Sequence, residues 1–267
     1  MSAEFKVGFT GDFWGPDGRQ AYGDIGQDVL EHAGVPWEPI GETGKFLEGR
    51  DVDRFDGIAV LGKSVTADTV ANAPRLTIIS RYGVGYDSVD VDACTKNGVL
   101  LVITPEGVRR PMATVNLTYL LALSHRLLEQ DRFTRAGGWA KKSEYMGLGL
   151  TGRTLGIIGF GNIARELLTI SKPLGMRQVS FDPYANPAVA AEMGVELVDL
   201  DRLMRESDFV VVACALTPET RHLVNAERLA MMKPTAYLIS TARGPIVDQA
   251  AVTAALQIGT IRGAGMD

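Results

Sequence analysis

The chain has 267 residues, an apolar fraction of 46% and a formal net charge of −5, enough length and apolar content for one large or two modest domains with real cores. An acidic balance without any block of Lys or Arg argues against nucleic acid or an anionic membrane as partner. The longest apolar run, Phe209 to Leu216, is strand-sized, well short of the roughly 18 residues that a membrane span needs.

In chain order, Phe5–Thr10 reads as a first strand, followed by a glycine-rich loop and a helical stretch from about Arg19 to Ala33, with Gly34 as its C-terminal cap. Val35–Ile40, Gly57–Leu61, Leu76–Ser80 and Val99–Val102 read as further strands. Strands alternating with helices imply a parallel sheet covered by helices. Thr104–Pro111 interrupts this alternation. A long helix is expected from about Met112 to Glu129, with apolar positions Val115, Tyr119, Leu120, Leu123 and Leu127 at a helical period. Arg132–Gly149 reads as a surface loop. A second alternating series follows, with strands at Thr154–Ile158, Gln178–Phe181, Phe209–Ala213, Ala236–Ser240 and Gly263–Asp267. Helices at Asp199–Glu206 and Asp248–Ile258 start at good N-caps. Cys94 and Cys214 are far apart and lack metal-ligand spacing, and Met1–Lys6 has no signal-peptide core. A reducing, cytoplasmic setting without disulfide or metal is expected.

The most informative stretch is Gly159-Phe160-Gly161-Asn162-Ile163-Ala164, a G-x-G-x-x-A pattern between an apolar strand and a helix. Gly159 permits the tight turn, Gly161 removes a side chain where a pyrophosphate approaches the backbone, and Ala164 lets helix and strand pack closely. The N–H groups at the helix start would meet phosphate charge. Asp182 follows the next strand, about 20 residues on, where a carboxylate would hold the adenosine ribose. The alternative is a glycine turn in some other α/β protein. Asp182, followed by Pro183 and Tyr184 rather than arginine, favours NAD over NADP, because a 2′-phosphate would be repelled.

The order of motifs resembles the D-isomer-specific 2-hydroxyacid dehydrogenase family, well over Leu76–Asp267 and loosely over residues 1–75. The resemblance rests on Arg81-Tyr82-Gly83-Val84-Gly85-Tyr86-Asp87, on Leu150–Gly156, on Leu216-Thr217-Pro218-Glu219-Thr220, on Met232-Lys233-Pro234 and on Thr241-Ala242-Arg243-Gly244-Pro245. It implies a smaller flavodoxin-like substrate domain over 1–107 and an NAD-binding Rossmann domain over 108–267. It also implies a small 2-oxo or 2-hydroxy acid as substrate and a homodimer built around the long helix. Substrate would be held by the Val84 and Gly85 amides and by Arg243, the catalytic arginine. Cofactor contacts would come from Gly159, Phe160, Gly161, Asn162, Ile163, Asp182, Pro183, Cys214, Ala215, Thr220, Thr241, Ala242, Arg243 and Asp267. Val84-Gly85 also reads as a tight strand-to-helix loop, and Arg243 as a surface arginine.

The chain departs from the family at Ala213 and Ala215, usually histidine and proline, and at Thr114, usually an acid. The family's acid/base histidine and its glutamate fall beyond the position of Asp267, so a C-terminally shortened chain that binds NAD(H) and turns over poorly is expected. His32, His125 and His222 read as structural. Two other outcomes stay open: an NAD(H)-binding, corepressor-like protein without catalysis, and a phosphonate- or formate-type dehydrogenase.

Overall fold

The computed structural model describes residues 4–41 and 43–267; the first three residues of the N-terminal segment and Glu42 lie outside the described residues. The chain divides into two compact units, Met1–Gly107 and Val108–Asp267.

The first unit runs β1 (Val7–Phe9), α1 (Gln27–His32), β2 (Trp37–Pro39), β3 (Phe46–Leu47), α2 (Gly49–Val52), β4 (Gly57–Val60), β5 (Ser64–Val65), α3 (Ala67–Ala71), β6 (Ile78–Arg81), α4 (Val91–Lys96) and β7 (Leu100–Ile103). Its five-stranded sheet is ordered β2-β1-β4-β6-β7 and is parallel throughout. This is the flavodoxin-like doubly wound order, with the direction of winding reversing between β1 and β4. Ile58, Val60, Ile79, Val65 and Phe55 fill one core with Val52, Val70 and Ala93 from the covering helices. The small β3–β5 pair, which register joins at Phe46–Ser64 and Leu47–Val65, is too short to leave a periodic signal. The helix expected from Arg19 shrinks to α1. Gly18, Gly23 and Gly26 all take positive φ, and Asp24 Oδ1 accepts the Gly26 N–H at 2.8 Å, so residues 18–26 form turns. At the other end Gly34, at φ +68, closes α1: its N–H reaches Glu31 O and the Val35 N–H reaches Leu30 O.

The boundary falls in the first turn of α5 (Pro105–Ser124). There follow α6 (Leu127–Arg135), β8 (Thr154–Ile158), α7 (Asn162–Ser171), β9 (Arg177–Phe181), α8 (Pro187–Met193), β10 (Glu196–Leu197), α9 (Leu200–Glu206), β11 (Phe209–Val212), α10 (Ala226–Met231), β12 (Tyr237–Ser240), α11 (Gln249–Gln257) and β13 (Gly263–Met266). The six-stranded parallel sheet is ordered β10-β9-β8-β11-β12-β13, the Rossmann order. Period-two alternation divides its side chains between two cores. Leu155, Ile157, Phe209, Val211 and Ile239 pack under α5, α7 and α8, while Ile158, Val210, Val212 and Leu238 pack under α9, α10 and α11. All four residues of β11 are 0% exposed, as a central parallel strand requires.

The long helix differs from the expectation. It starts seven residues early, because Pro105 at its first turn loses no internal hydrogen bond, and it carries Pro111 inside. It stops at Ser124, since Arg126 is left-handed (φ 51) and starts α6. The buried face is Ala113, Asn116, Leu120 and Ser124, while Val115 and Leu127 are exposed. Two polar residues occupy the core face because each finds partners there. Arg132–Gly149 is not wholly irregular: α6 covers its start, and a 3-10 segment spans Trp139–Tyr145. At the N-terminal edge of the sheet, buried Asp208 accepts the Thr154 N–H at 2.9 Å and pairs with Arg153 and Lys233 at 3.3 and 3.2 Å. This gives Lys233 a structural role.

Gly156 lies under α9. A methyl there would collide with Ser207 Oγ and stand 2.9 Å from Leu203 Cγ. Gly156→Ala is expected to lower the unfolding free energy by about 1–3 kcal/mol through overpacking, measured by denaturant titration.

Candidate functional site

The C-terminal ends of β8, β9, β11 and β12 gather most of the residues singled out in the sequence. Gly159 leaves β8 at φ +107, and its N–H donates to Phe181 O at the end of β9 (2.7 Å). A Cβ on Gly159 would stand 2.9 Å from Cys214 N and 3.0 Å from Ala213 O, so glycine is required for both conformation and space. Gly159 thus joins β8 to the loop after β11, at the point where the strand order reverses, the general location of ligands in open α/β sheets.

Asp182 closes β9. Its Oδ2 accepts the Phe160 N–H and its Oδ1 accepts the Tyr184 N–H, both at 2.8 Å. The carboxylate is therefore fixed in direction, and each oxygen keeps a further lone pair for a ligand hydroxyl. Burial pushes the Cys214 thiol up to about 11, and the nearby Asp182 charge adds to the effect. The thiol stays neutral across the physiological range.

Helix α7, like α6, starts without a side-chain cap. Helices α8, α9, α10 and α11 are each capped by a side chain, from Asn186, Asp199, Asn225 and Asp248. Helix α7 has Gly161 at its N-cap and no side-chain cap. A Cβ at Gly161 would meet nothing within 4 Å. Open space in front of uncapped N–H groups, beside a carboxylate suited to ribose hydroxyls, fits a dinucleotide with its pyrophosphate at the helix start.

Further along the same edge, Thr220 Oγ1 donates to Ala215 O at 2.7 Å and so folds the Thr217–Thr220 turn back on the loop after β11. Thr241, Ala242 and Arg243 follow β12, with Arg243 half-buried and donating from Nη1 to Ala242 O at 2.8 Å. The Asp267 N–H donates to Ser240 O at 3.1 Å, which sets Asp267 beside the end of β12. Left-handed His222 (φ 51) is exposed, and its N–H donates to Pro245 O at 2.8 Å. His32 Nδ1 lies 2.7 Å from Asp28 O at the end of α1, and His125 follows α5. Among the described residues, no group of three or more His, Cys, Asp or Glu could hold a metal ion.

Val84 and Gly85 belong to the first unit. They lie in the turn after β6, where Gly83 (φ +136) is locked by two bonds with Thr104: its N–H donates to Oγ1 at 2.8 Å, and its carbonyl accepts the Thr104 N–H at 2.9 Å. Among the described residues of that unit the Val84 and Gly85 N–H groups have no acceptor, a backbone arrangement of the kind that can meet an anion.

Asn116 escaped the sequence reading. It is 0% exposed, and its Nδ2 donates to Met112 O (2.9 Å) and Thr241 Oγ1 (2.8 Å), tying α5 to the start of the Arg243 turn. An asparagine three residues after Ala113 and four before Leu120, on an apolar helix face, was the available signal.

Strand order, the glycine turn and the carboxylate that closes β9 together define a dinucleotide-binding Rossmann protein. Residues 117–267 match the family model described as "D-isomer specific 2-hydroxyacid dehydrogenase, NAD binding domain". The glyoxylate reductase of Thermococcus onnurineus is 42% identical over 249 residues, covering 90% of this chain and 74% of that protein. The D-3-phosphoglycerate dehydrogenase of Methanocaldococcus jannaschii is 37% identical over 240 residues, covering 90% of this chain and 46% of that protein. Among solved structures, the D-lactate dehydrogenase of Aquifex aeolicus, complexed with NAD and lactic acid, superposes with a TM-score of 0.83 at 27% identity, covering 98% of this chain and 76% of that one. The chain belongs to the D-isomer specific 2-hydroxyacid dehydrogenase family, and its cofactor is NAD.

The two glycines separate fold from ligand. Gly161→Ala is expected to leave the unfolding midpoint in place and weaken NADH binding about tenfold or more, because its methyl enters the pyrophosphate space. Gly159→Ala is expected to lower both stability and affinity. Thermal unfolding and NADH fluorescence titration on each variant check this.

Proposed function

We propose that this protein is an NADH-dependent reductase of small 2-oxo acids of the glyoxylate and hydroxypyruvate class. The observation that carries the reading is the shared sheet edge in the second unit. There the uncapped start of α7 and Asp182 suit the cofactor, and Arg243 follows β12 at the same C-terminal edge of the sheet. NADH supplies the hydride when bound. The chain's described residues supply cofactor binding and substrate orientation. The amides at Gly161, Asn162 and Ile163 face the pyrophosphate, Asp182 and Pro183 border the ribose, and Phe160, Cys214, Ala215 and Thr220 wall the site. Thr241, Ala242 and Asp267 border the nicotinamide end. In the first unit the Val84 and Gly85 amides offer a carboxylate two donors. Arg243 offers a planar fork to a carboxylate or a carbonyl oxygen, orienting the acid and stabilising charge that develops on that oxygen. The 42% identity to a glyoxylate reductase supports this substrate class. No specific observation favours a corepressor-like or a phosphonate- or formate-type reading.

The test has two parts. NADH oxidation is followed across glyoxylate, hydroxypyruvate, pyruvate and longer 2-oxo acids, and binding of oxamate, a non-reducible mimic, to NADH-saturated protein is measured by calorimetry. The short acids are expected to give the highest kcat/KM. Arg243→Ala is expected to cost about 10²–10³-fold in kcat/KM, the scale of one oxyanion donor, and to abolish oxamate binding while NADH affinity holds. Asp182→Ala is expected to shrink the preference for NADH over NADPH. Oxamate binding that survives Arg243→Ala rejects the assignment of substrate to this arginine.

A homodimer and a cytoplasmic setting complete the proposal. Leu127, Leu128, Trp139 and Met146 are 57%, 67%, 65% and 70% exposed within one stretch of sequence, apolar surface suited to contact with a second copy of the chain. Both cysteines are free. No helix among the described residues is long and apolar enough to cross a membrane. Leu128→Glu with Trp139→Ala is expected to convert a dimer to monomer in light scattering, and an unchanged mass sinks this interface.

A further inference from the structure

Helix α7 carries a cation that the dinucleotide fingerprint does not call for. Arg165 lies four residues after the N-cap Gly161, to whose carbonyl its own N–H donates at 2.9 Å. Side chains on a helix lean toward its N-terminus, so a residue at this position reaches back over the first turn. The contacts confirm that direction: Arg165 Nη2 donates to Asn162 Oδ1 at 2.6 Å, at the first residue of the helix. The neighbouring carboxylate does not neutralise it. Glu166 is held by Arg110 at 2.7 Å and by Arg109 at 3.5 Å. Among the described residues no carboxylate lies within ion-pair distance of Arg165. A half-buried guanidinium, one of its donors fixed by an amide oxygen and its charge unopposed, therefore stands over an uncapped helix start.

We propose that Arg165 is a cofactor-binding residue that contacts the pyrophosphate of NAD(H), and that Asn162 is the residue that positions it. This rests on the NAD-binding reading of the second unit. Guanidinium suits a diphosphate because its parallel N–H groups meet two oxygens at once. Asn162 occupies one donor and turns the remaining face toward the helix start, while the backbone N–H groups of the first turn bind from below. The helix dipole and a full side-chain charge then act on the same anion.

The experiment compares NADH, ADP-ribose and adenosine binding to the unsubstituted chain and to Arg165→Gln, Arg165→Lys and Asn162→Ala, by calorimetry and competition. Arg165→Gln is expected to weaken NADH and ADP-ribose alike by about tenfold, the scale of one charge-assisted hydrogen bond. Adenosine, which has no phosphate, should be unaffected. Affinity should fall less steeply with salt in this variant. Arg165→Lys should recover part of the loss, and Asn162→Ala should lose a smaller factor. Unchanged NADH affinity in Arg165→Gln overturns the proposal. So does an equal loss for adenosine, which would mean a structural role, and so does a larger loss for NADPH than for NADH, which would place the arginine at the 2′-position. Absence of NADH binding by the unsubstituted chain would instead overturn the NAD-binding reading on which the proposal stands.

Discussion

The second unit depends on how closely three strand ends approach one another at Gly159. Its N–H is bonded to the end of β9, and its α-carbon faces the backbone after β11 with no room for a methyl. The next N–H, that of Phe160, is bonded to the carboxylate that ends β9. Only glycine satisfies both the left-handed φ and the contact. Because the chain passes through this point, α7 starts directly above the reversal of strand order, and the amides of its first turn face outward where no side chain caps them. The fingerprint is in this sense a packing solution first. The outward-facing amides at the start of α7 follow from where that solution leaves the helix.

Much of this was legible in the sequence because the relevant rules are local. The spacing of Gly159, Gly161 and Ala164, and the acid about 20 residues on, reflect one turn, one helix and one strand, whose lengths physics fixes narrowly. The parallel strands were legible for a similar reason: β-branched and aliphatic runs such as Phe209–Val212 are long enough to be buried on both faces. What failed to show depends on tertiary partners. Asn116 and Ser124 sit on the buried face of α5 because Thr241, Met112 and Leu121 supply partners. A reading by apolar period alone put Val115 and Leu127 there instead. The start of α5 was hidden by Pro105 and Pro111, of which Pro105 sits harmlessly at the first residue of the helix while Pro111 lies inside it. The glycines at 18, 23 and 26 look compatible with helix until their positive φ values show turns.

The site residues follow the same division. Asp182 was legible as a carboxylate at a strand end, but not as one whose two oxygens are already aimed by backbone donors. That second property would lower the entropy cost of a ligand hydroxyl contact, since the acceptor does not need to be ordered on binding. The exposed network of Arg177, Glu196, Arg202 and Glu206 on β9, β10 and α9 holds the far edge of the sheet, where screened surface pairs contribute little individually. The buried carboxylate Asp208 is a different case, matched by two cations and a backbone N–H.

That contrast between Asp208 and the start of α7 gives the sheet two chemically unlike ends. At one end, the buried carboxylate finds all its partners within the protein, which needs nothing from outside. At the other, the first-turn N–H groups of α7 have no side-chain cap. Sequence drift meets different filters at the two ends. A change near Asp208 is judged by whether the chain survives as a folded molecule, whatever it binds. A change in the first turn of α7 can leave the molecule intact and is judged by what it still recognises. New specificities in this scaffold therefore have an open door at one end of the sheet and a closed one at the other.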